Sequence, residues 1–142
     1  MKLAGGEAHR RLVDHDHGVL CTVHARRGVD AVPVVYAVRD EHLAVPVDRV
    51  KPKSGSGVAP LQRERNLYAD PRATLLIEQW DSEDWSQLWW VRSELEWDAD
   101  VSPEVEEALA TGLADRYVQY RDRPFDRLLV FRIVATSGWA AV

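Results

Sequence analysis

A single cysteine rules out an intrachain disulfide and a thiolate-based zinc site, and Cys21 stands in the apolar run Val19-Leu20-Cys21-Thr22-Val23, where a buried inert thiol is expected. No uninterrupted apolar run approaches the roughly 18 residues that a membrane span needs, and Met1–Gly6 lacks the apolar region of a signal peptide, so the chain reads as cytoplasmic with no membrane partner. Excess positive charge is missing too. A formal net charge of −5 and a pI near 5.5 argue against broad attraction to nucleic acid, although a local basic patch can persist on an acidic protein. Neither a Gly-x-Ser-x-Gly elbow nor a Cys–His pairing is visible, which leaves hydrolytic catalysis without a nucleophile. Ser54-Gly55-Ser56-Gly57 lacks the Gly-Lys-Ser/Thr end of a P-loop, and it is not a dinucleotide fingerprint. No internal repeat is present.

The chain that remains is 142 residues long and 46% hydrophobic, enough for one domain, 1–142, with a substantial core. Residues 7–16 carry Ala8, Leu12 and Val13 at helical spacing, with His17-Gly18 as a stop. β-Branched runs at 19–25, 31–38 and 42–47, separated by polar turns, predict a three-stranded meander. Residues 48–60 cannot continue a strand and form the longest irregular stretch. A helix is predicted over 60–69, with Pro60 in its first turn and Asp70-Pro71 as its end. Strands follow at 72–79 and 87–97 around an acidic turn at 81–84. Ser102-Pro103-Glu104 opens a helix predicted to reach about Arg121, and residues 128–135 close the chain as a strand. This order predicts an α+β, mainly β protein whose antiparallel sheet curls into a barrel.

Three clusters bear on function. His15-Asp16-His17 sets two imidazoles beside a carboxylate. Read as a helix end, its side chains diverge, and His9, His24 and His42 have no ligand spacing to it, so no metal site is expected. Arg49, Lys51, Lys53, Arg63, Arg65 and Arg72 gather cations around the Ser/Gly loop at a helix start, the makings of an anion site or of a solvated basic loop. Trp80, Trp85, Trp89 and Trp90 fall within eleven residues. Core filling accounts for the face that carries Trp89, Val91, Leu95 and Trp97, whereas Trp80, Trp85 and Trp90 suit a subunit interface or a stacking surface, with Arg92 free to pair with the acidic turn or a ligand anion.

The segments Val47-Asp48-Arg49-Val50-Lys51-Pro52-Lys53 and Arg65-Asn66-Leu67-Tyr68-Ala69-Asp70-Pro71-Arg72 resemble the flavin and deazaflavin split-barrel superfamily, also called pyridoxamine 5'-phosphate oxidase-like. Leu88-Trp89-Trp90-Val91-Arg92, Arg116-Tyr117-Val118-Gln119-Tyr120-Arg121 and Ser137-Gly138-Trp139 are similar to its coenzyme F420-dependent branch in actinobacteria. The resemblance spans roughly residues 7–140. It implies a six-stranded antiparallel split β-barrel that forms a homodimer, with cofactor sites between the subunits. It also implies an oxidoreductase that passes a hydride from reduced F420 to a small conjugated organic acceptor. FMN on the same fold is the alternative cofactor, and a non-catalytic haem- or tetrapyrrole-binding protein is the alternative from another class. Lys51 and Lys53 would grip the cofactor phosphate, with Val47 and Asp48 leading into their loop. Pro33 and Val34 would lie along the ring system, Gln79 and Trp80 would approach it from below, and Arg92 would offer a charge. Where the family has a basic, glycine-free continuation, this chain has Ser54–Gly57. Because the cofactor carries the redox chemistry, no obligatory catalytic side chain is expected.

Overall fold

The computed structural model describes residues 1–48 and 60–141. Three helices, α1 (Gly5–Asp14), α2 (Gln62–Ala69) and α3 (Pro103–Arg116), accompany seven strands. The strands are β1 (Gly18–His24), β2 (Gly28–Val34), β3 (Ala37–Arg39), β4 (His42–Asp48), β5 (Arg72–Gln79), β6 (Trp89–Trp97) and β7 (Phe125–Ala140). They form one antiparallel sheet in the order β2-β1-β5-β6-β7-β4-β3.

That order corrects the predicted meander. The 31–38 run breaks at Val35-Tyr36 into β2 and β3, which sit on opposite edges of the sheet, and the described residues form seven strands. The break also curls the sheet. Val34 and Ala37 lie three Cα–Cα steps apart, at most about 11 Å, so the two edges must approach each other and the sheet closes into an open barrel.

Inside the barrel, alternate residues of successive strands meet: Leu20, Leu43, Val45, Leu75, Ile77, Val91, Leu129 and Phe131 are all buried. Ala8 and Leu12 of α1 and Leu67 of α2 pack against the same cluster. Tyr36, also fully buried, donates its hydroxyl to the Leu12 carbonyl at 2.6 Å and so ties the β2–β3 break to α1. On the other side of β3, β4 and β7, α3 lays Leu109, Ala110 and Leu113 against Ala37, Ala44 and Val130. Ser102 caps α3 through Val105 N–H, with Pro103 at its first position. The helix ends at Arg116, short of the predicted Arg121, and a 3₁₀ turn at Val118–Tyr120 follows.

Other boundaries shift as well. α1 stops at Asp14 with His15 as its extended C-cap, so Asp16 and His17 lie beyond the helix. Pro60 precedes Leu61, the N-cap of α2; there the Glu64 carboxylate accepts from Leu61 N–H at 2.9 Å. Gly18 is required by close approach, since a Cβ there would lie 2.7 Å from the Leu76 carbonyl oxygen. β7 runs to Ala140 because β6 continues to pair with it through Trp90↔Trp139 and Trp89↔Ala140. Among the described residues no helix is long and apolar enough to cross a membrane.

Candidate functional site

A cleft of about 300 Å³ opens where the end of β2, the end of β4, the start of α2 and the 3₁₀ turn converge. Its walls include Pro33, Val34 and Val35 on one side and Val45, Pro46 and Asp48 on the other, with Arg63, Tyr120 and His17 around them. β2 is an edge strand, so backbone groups that point away from β1 are not used by the sheet and are open to hydrogen bonding by a ligand.

Arg63 sets the chemistry. Its Nε is buried and has no hydrogen-bond partner among the described residues, and burial pulls the guanidinium's pKa below its ordinary range, opposed by the nearby Glu64 and Asp48 carboxylates. The adjacent Glu64 is committed elsewhere, because it accepts from Arg127 Nε at 2.8 Å and caps α2. Asp48 accepts the Tyr120 hydroxyl at 2.7 Å. Burial, then that carboxylate, pushes the phenol up to about 12, so Tyr120 keeps its proton at neutral pH. A half-buried guanidinium with an unmet donor at a cleft fits an anionic group such as a phosphate.

Of the residues predicted from sequence, Pro33, Val34 and Asp48 meet at this cleft. Val47 lies next to it in the chain, but its side chain is buried in the barrel core with Leu43 and Val45. Lys51 and Lys53 lie outside the described residues. Gln79 and Trp80 stand at the far end of β5, where Gln79 accepts from Trp89 Nε1 at 3.1 Å and Trp80 lies against Trp85 with ring centroids 5.4 Å apart. Arg92 stacks over Trp90 on the outer face of β6. Gln79, Trp80 and Arg92 do not line the cleft within one chain.

Sequence reasoning nominated neither Tyr120 nor His17 for the site and kept Arg63 only as a member of a basic cluster. The motif 116–121 held the signal for Tyr120. The sequence marks His17 only as part of the His15-Asp16-His17 cluster, and its place at the cleft depends on α1 ending at Asp14.

A larger concavity, about 490 Å³, lies on the outer sheet face between Cys21, Val23, Val29, Thr74, Glu94 and Val134. Its one described cation, Arg72, is paired with Asp70 at 2.7 Å. With Val29 65% and Val134 51% exposed, this face is suited to being covered and holds no comparable unpaired donor, so the smaller cleft is the better candidate for chemistry.

A curled antiparallel barrel with a polar cleft at its open seam is a known architecture. The chain has the fold of a conserved hypothetical protein from Mycobacterium tuberculosis, with a TM-score of 0.73, 22% identity, and coverage of 98% of this chain and 86% of that one. It is similarly related to an FMN-binding protein from Syntrophomonas wolfei (TM-score 0.65, 18% identity, 96% and 86% covered). The haem storage protein HutZ of Vibrio cholerae also shares the fold (TM-score 0.67, 12% identity, 95% and 92% covered). No protein-family model and no curated protein matches the sequence.

Proposed function

We propose that the chain is one subunit of a homodimeric oxidoreductase that holds a phosphate-bearing ring cofactor in the cleft between β2, β4 and α2. Coenzyme F420 is the cofactor in this reading, and FMN is the alternative. The observation that carries it is the buried Arg63 Nε without a partner, set beside an edge strand with free backbone groups. Arg63 would neutralise the phosphate together with Lys51 and Lys53, which precede α2 in the sequence. Backbone groups near Pro33 and Val34 would orient the ring, and the proline and valine side chains would exclude water from one of its faces. When bound, such a cofactor supplies hydride transfer to a small conjugated acceptor. The mixed outer face of β1, β2, β5 and β6, where Val23, Val29 and Leu76 are exposed beside charged residues, would pair with a second copy.

Titration of the purified protein with F420 and with FMN, followed by fluorescence and calorimetry, tests this reading. Saturable binding of F420 one per subunit, with reduced F420 consumed in the presence of an enone acceptor, is the expected result. Co-purification of yellow FMN would select the alternative cofactor, and failure of both to bind would refute the reading. A second reading, a haem- or tetrapyrrole-binding protein without turnover, is favoured by the shared fold of the haem storage protein. A Soret band shift on adding haemin, without any affinity for F420 or FMN, would support it.

A further inference from the structure

The segment between α1 and β1 has a use that the cofactor reading does not absorb. α1 ends at Asp14, its C-cap His15 already has extended geometry (φ −80, ψ 155), and Asp16 and His17 lie outside helix and strand. The divergence expected at a helix end therefore does not occur. The two imidazoles lie nearly parallel, with planes 28° apart and centroids 5.4 Å apart. One potential ligand atom from each of His15, Asp16 and His17 lies within 4.8 Å of the others.

This arrangement is braced from several sides. The His15 ring stands edge-on to Trp89 at 5.2 Å, and Trp89 is held by Gln79 through its Nε1 and by the Arg11 guanidinium over its face. Arg116 donates to the Val13 carbonyl at 2.8 Å and to the His15 carbonyl, and the Tyr117 hydroxyl donates to the Asp16 carbonyl at 2.5 Å. Side chains of α3 and its C-cap thus hold the Val13, His15 and Asp16 carbonyls at and just beyond the end of α1. Asp16 Oδ1 lies 2.6 Å from His17 Nδ1, which orients that imidazole and leaves Nε2 free, the carboxylate–histidine arrangement that supports a metal ligand.

We propose that His15 and His17 form a binding site for one divalent transition-metal ion of the imidazole-preferring class, Zn²⁺, Ni²⁺ or Cu²⁺, with Asp16 orienting His17. Two nitrogens at about 2.0–2.1 Å from a metal must stand closer than the present rings do, which rotation of the exposed His17 side chain provides. The charges that face the site are Asp16 and Glu78, which favour a cation, and Arg116, which opposes it and is turned onto backbone carbonyls. His17 also lines the cleft, so the ion would sit at its rim with further coordination positions for water. The proposal does not depend on which cofactor, if any, the cleft accepts.

The test is calorimetric titration of the full chain, without a polyhistidine tag, with ZnCl₂, and Cu²⁺ paramagnetic resonance to count nitrogen ligands. One ion per chain with two imidazole nitrogens is expected. His15→Phe keeps the ring contact with Trp89 but has no ligand atom, and His17→Gln removes the second ligand; each should abolish saturable uptake. Asp16→Asn should weaken it by about 10–100-fold, the usual effect of losing an outer-shell partner. His24→Ala and His42→Ala should change nothing. Absence of saturable uptake by the wild type, or uptake by the His15 and His17 variants equal to it, overturns the site. Circular dichroism confirms that each variant remains folded.

Discussion

Arg63→Met separates a residue held for a ligand from one held for the fold. Methionine matches the length and packing of the arginine stem while deleting the charge and its donors. In the apo protein a buried Nε without an acceptor is a cost of about 1–3 kcal/mol, so the variant should melt no lower than the wild type and even a few degrees higher, at about 2–4 °C per kcal/mol for a domain of this size. In the liganded protein the same guanidinium would make charge-assisted hydrogen bonds to phosphate. Losing about 1.5–3 kcal/mol there weakens binding by roughly 10- to 150-fold. The two effects have opposite signs, and no loss of packing produces both. Thermal melting read beside F420 and FMN titrations at constant ionic strength gives the answer. Unchanged affinity for both cofactors would refute the phosphate role, and a melting temperature several degrees lower would show that Arg63 holds the fold.

Other expectations follow from the same structure. Lys51→Ala/Lys53→Ala should weaken cofactor binding by well over the ~1 kcal/mol of an exposed ion pair, and unchanged calorimetric affinity would remove both lysines from the anchor. Glu64→Ala removes the acceptor of Arg127 Nε and of the Leu61 N–H, leaving Arg127 paired with Asp126 alone, and should cost about 3 kcal/mol in chemical denaturation. Because Arg127 holds the Glu64 carboxyl below its ordinary range, that stability is present above about pH 4.3 and is lost as pH falls through the lower folded value. The acid limb of the melting curve should therefore be shallower in Glu64→Ala than in the wild type. Gly18→Ala drives a Cβ into the Leu76 carbonyl and should lower stability by about 1–3 kcal/mol, measured in urea. Leu76→Glu, on the outer face of β5, should convert the proposed dimer to monomers in sedimentation, and a wild type that sediments as a monomer would exclude that interface.

Much of the architecture was legible because burial repeats with the period of the element. The β6 alternation placed Val91 and Leu95 inside and Arg92, Glu94 and Glu96 outside, as observed, and the Ser-Pro-Glu start of α3 was readable from capping chemistry alone. Pairing order was not legible. Val35-Tyr36 carries no turn residue, so the 31–38 run reads as one strand. Only the tertiary demand that Tyr36 reach Leu12, and that β3 join β4 on the far edge, breaks it. β7 was underestimated for the opposite reason, since Thr136-Ser137-Gly138 looks like a stop and is kept extended by its ladder to β6.

The same distinction governs the site. Pro33, Val34 and Asp48 are distant in sequence and reach one cleft only because the sheet curls, so residue chemistry could not have joined them; the resemblance did. His17 shows the limit of both routes. A two-residue difference in where α1 ends decides whether His15 and His17 diverge or align, and element boundaries are where sequence patterns carry least information. The consequence reaches beyond bookkeeping of helix ends. If α1 continued to Asp16, the Val13 carbonyl would accept from His17 N–H and be lost to Arg116, whereas the His15 and Asp16 carbonyls would be free in either case. The observed stop at Asp14 leaves all three carbonyls to Arg116 and Tyr117. One boundary thereby sets the position of His17 in the cleft and the alignment of the two imidazoles.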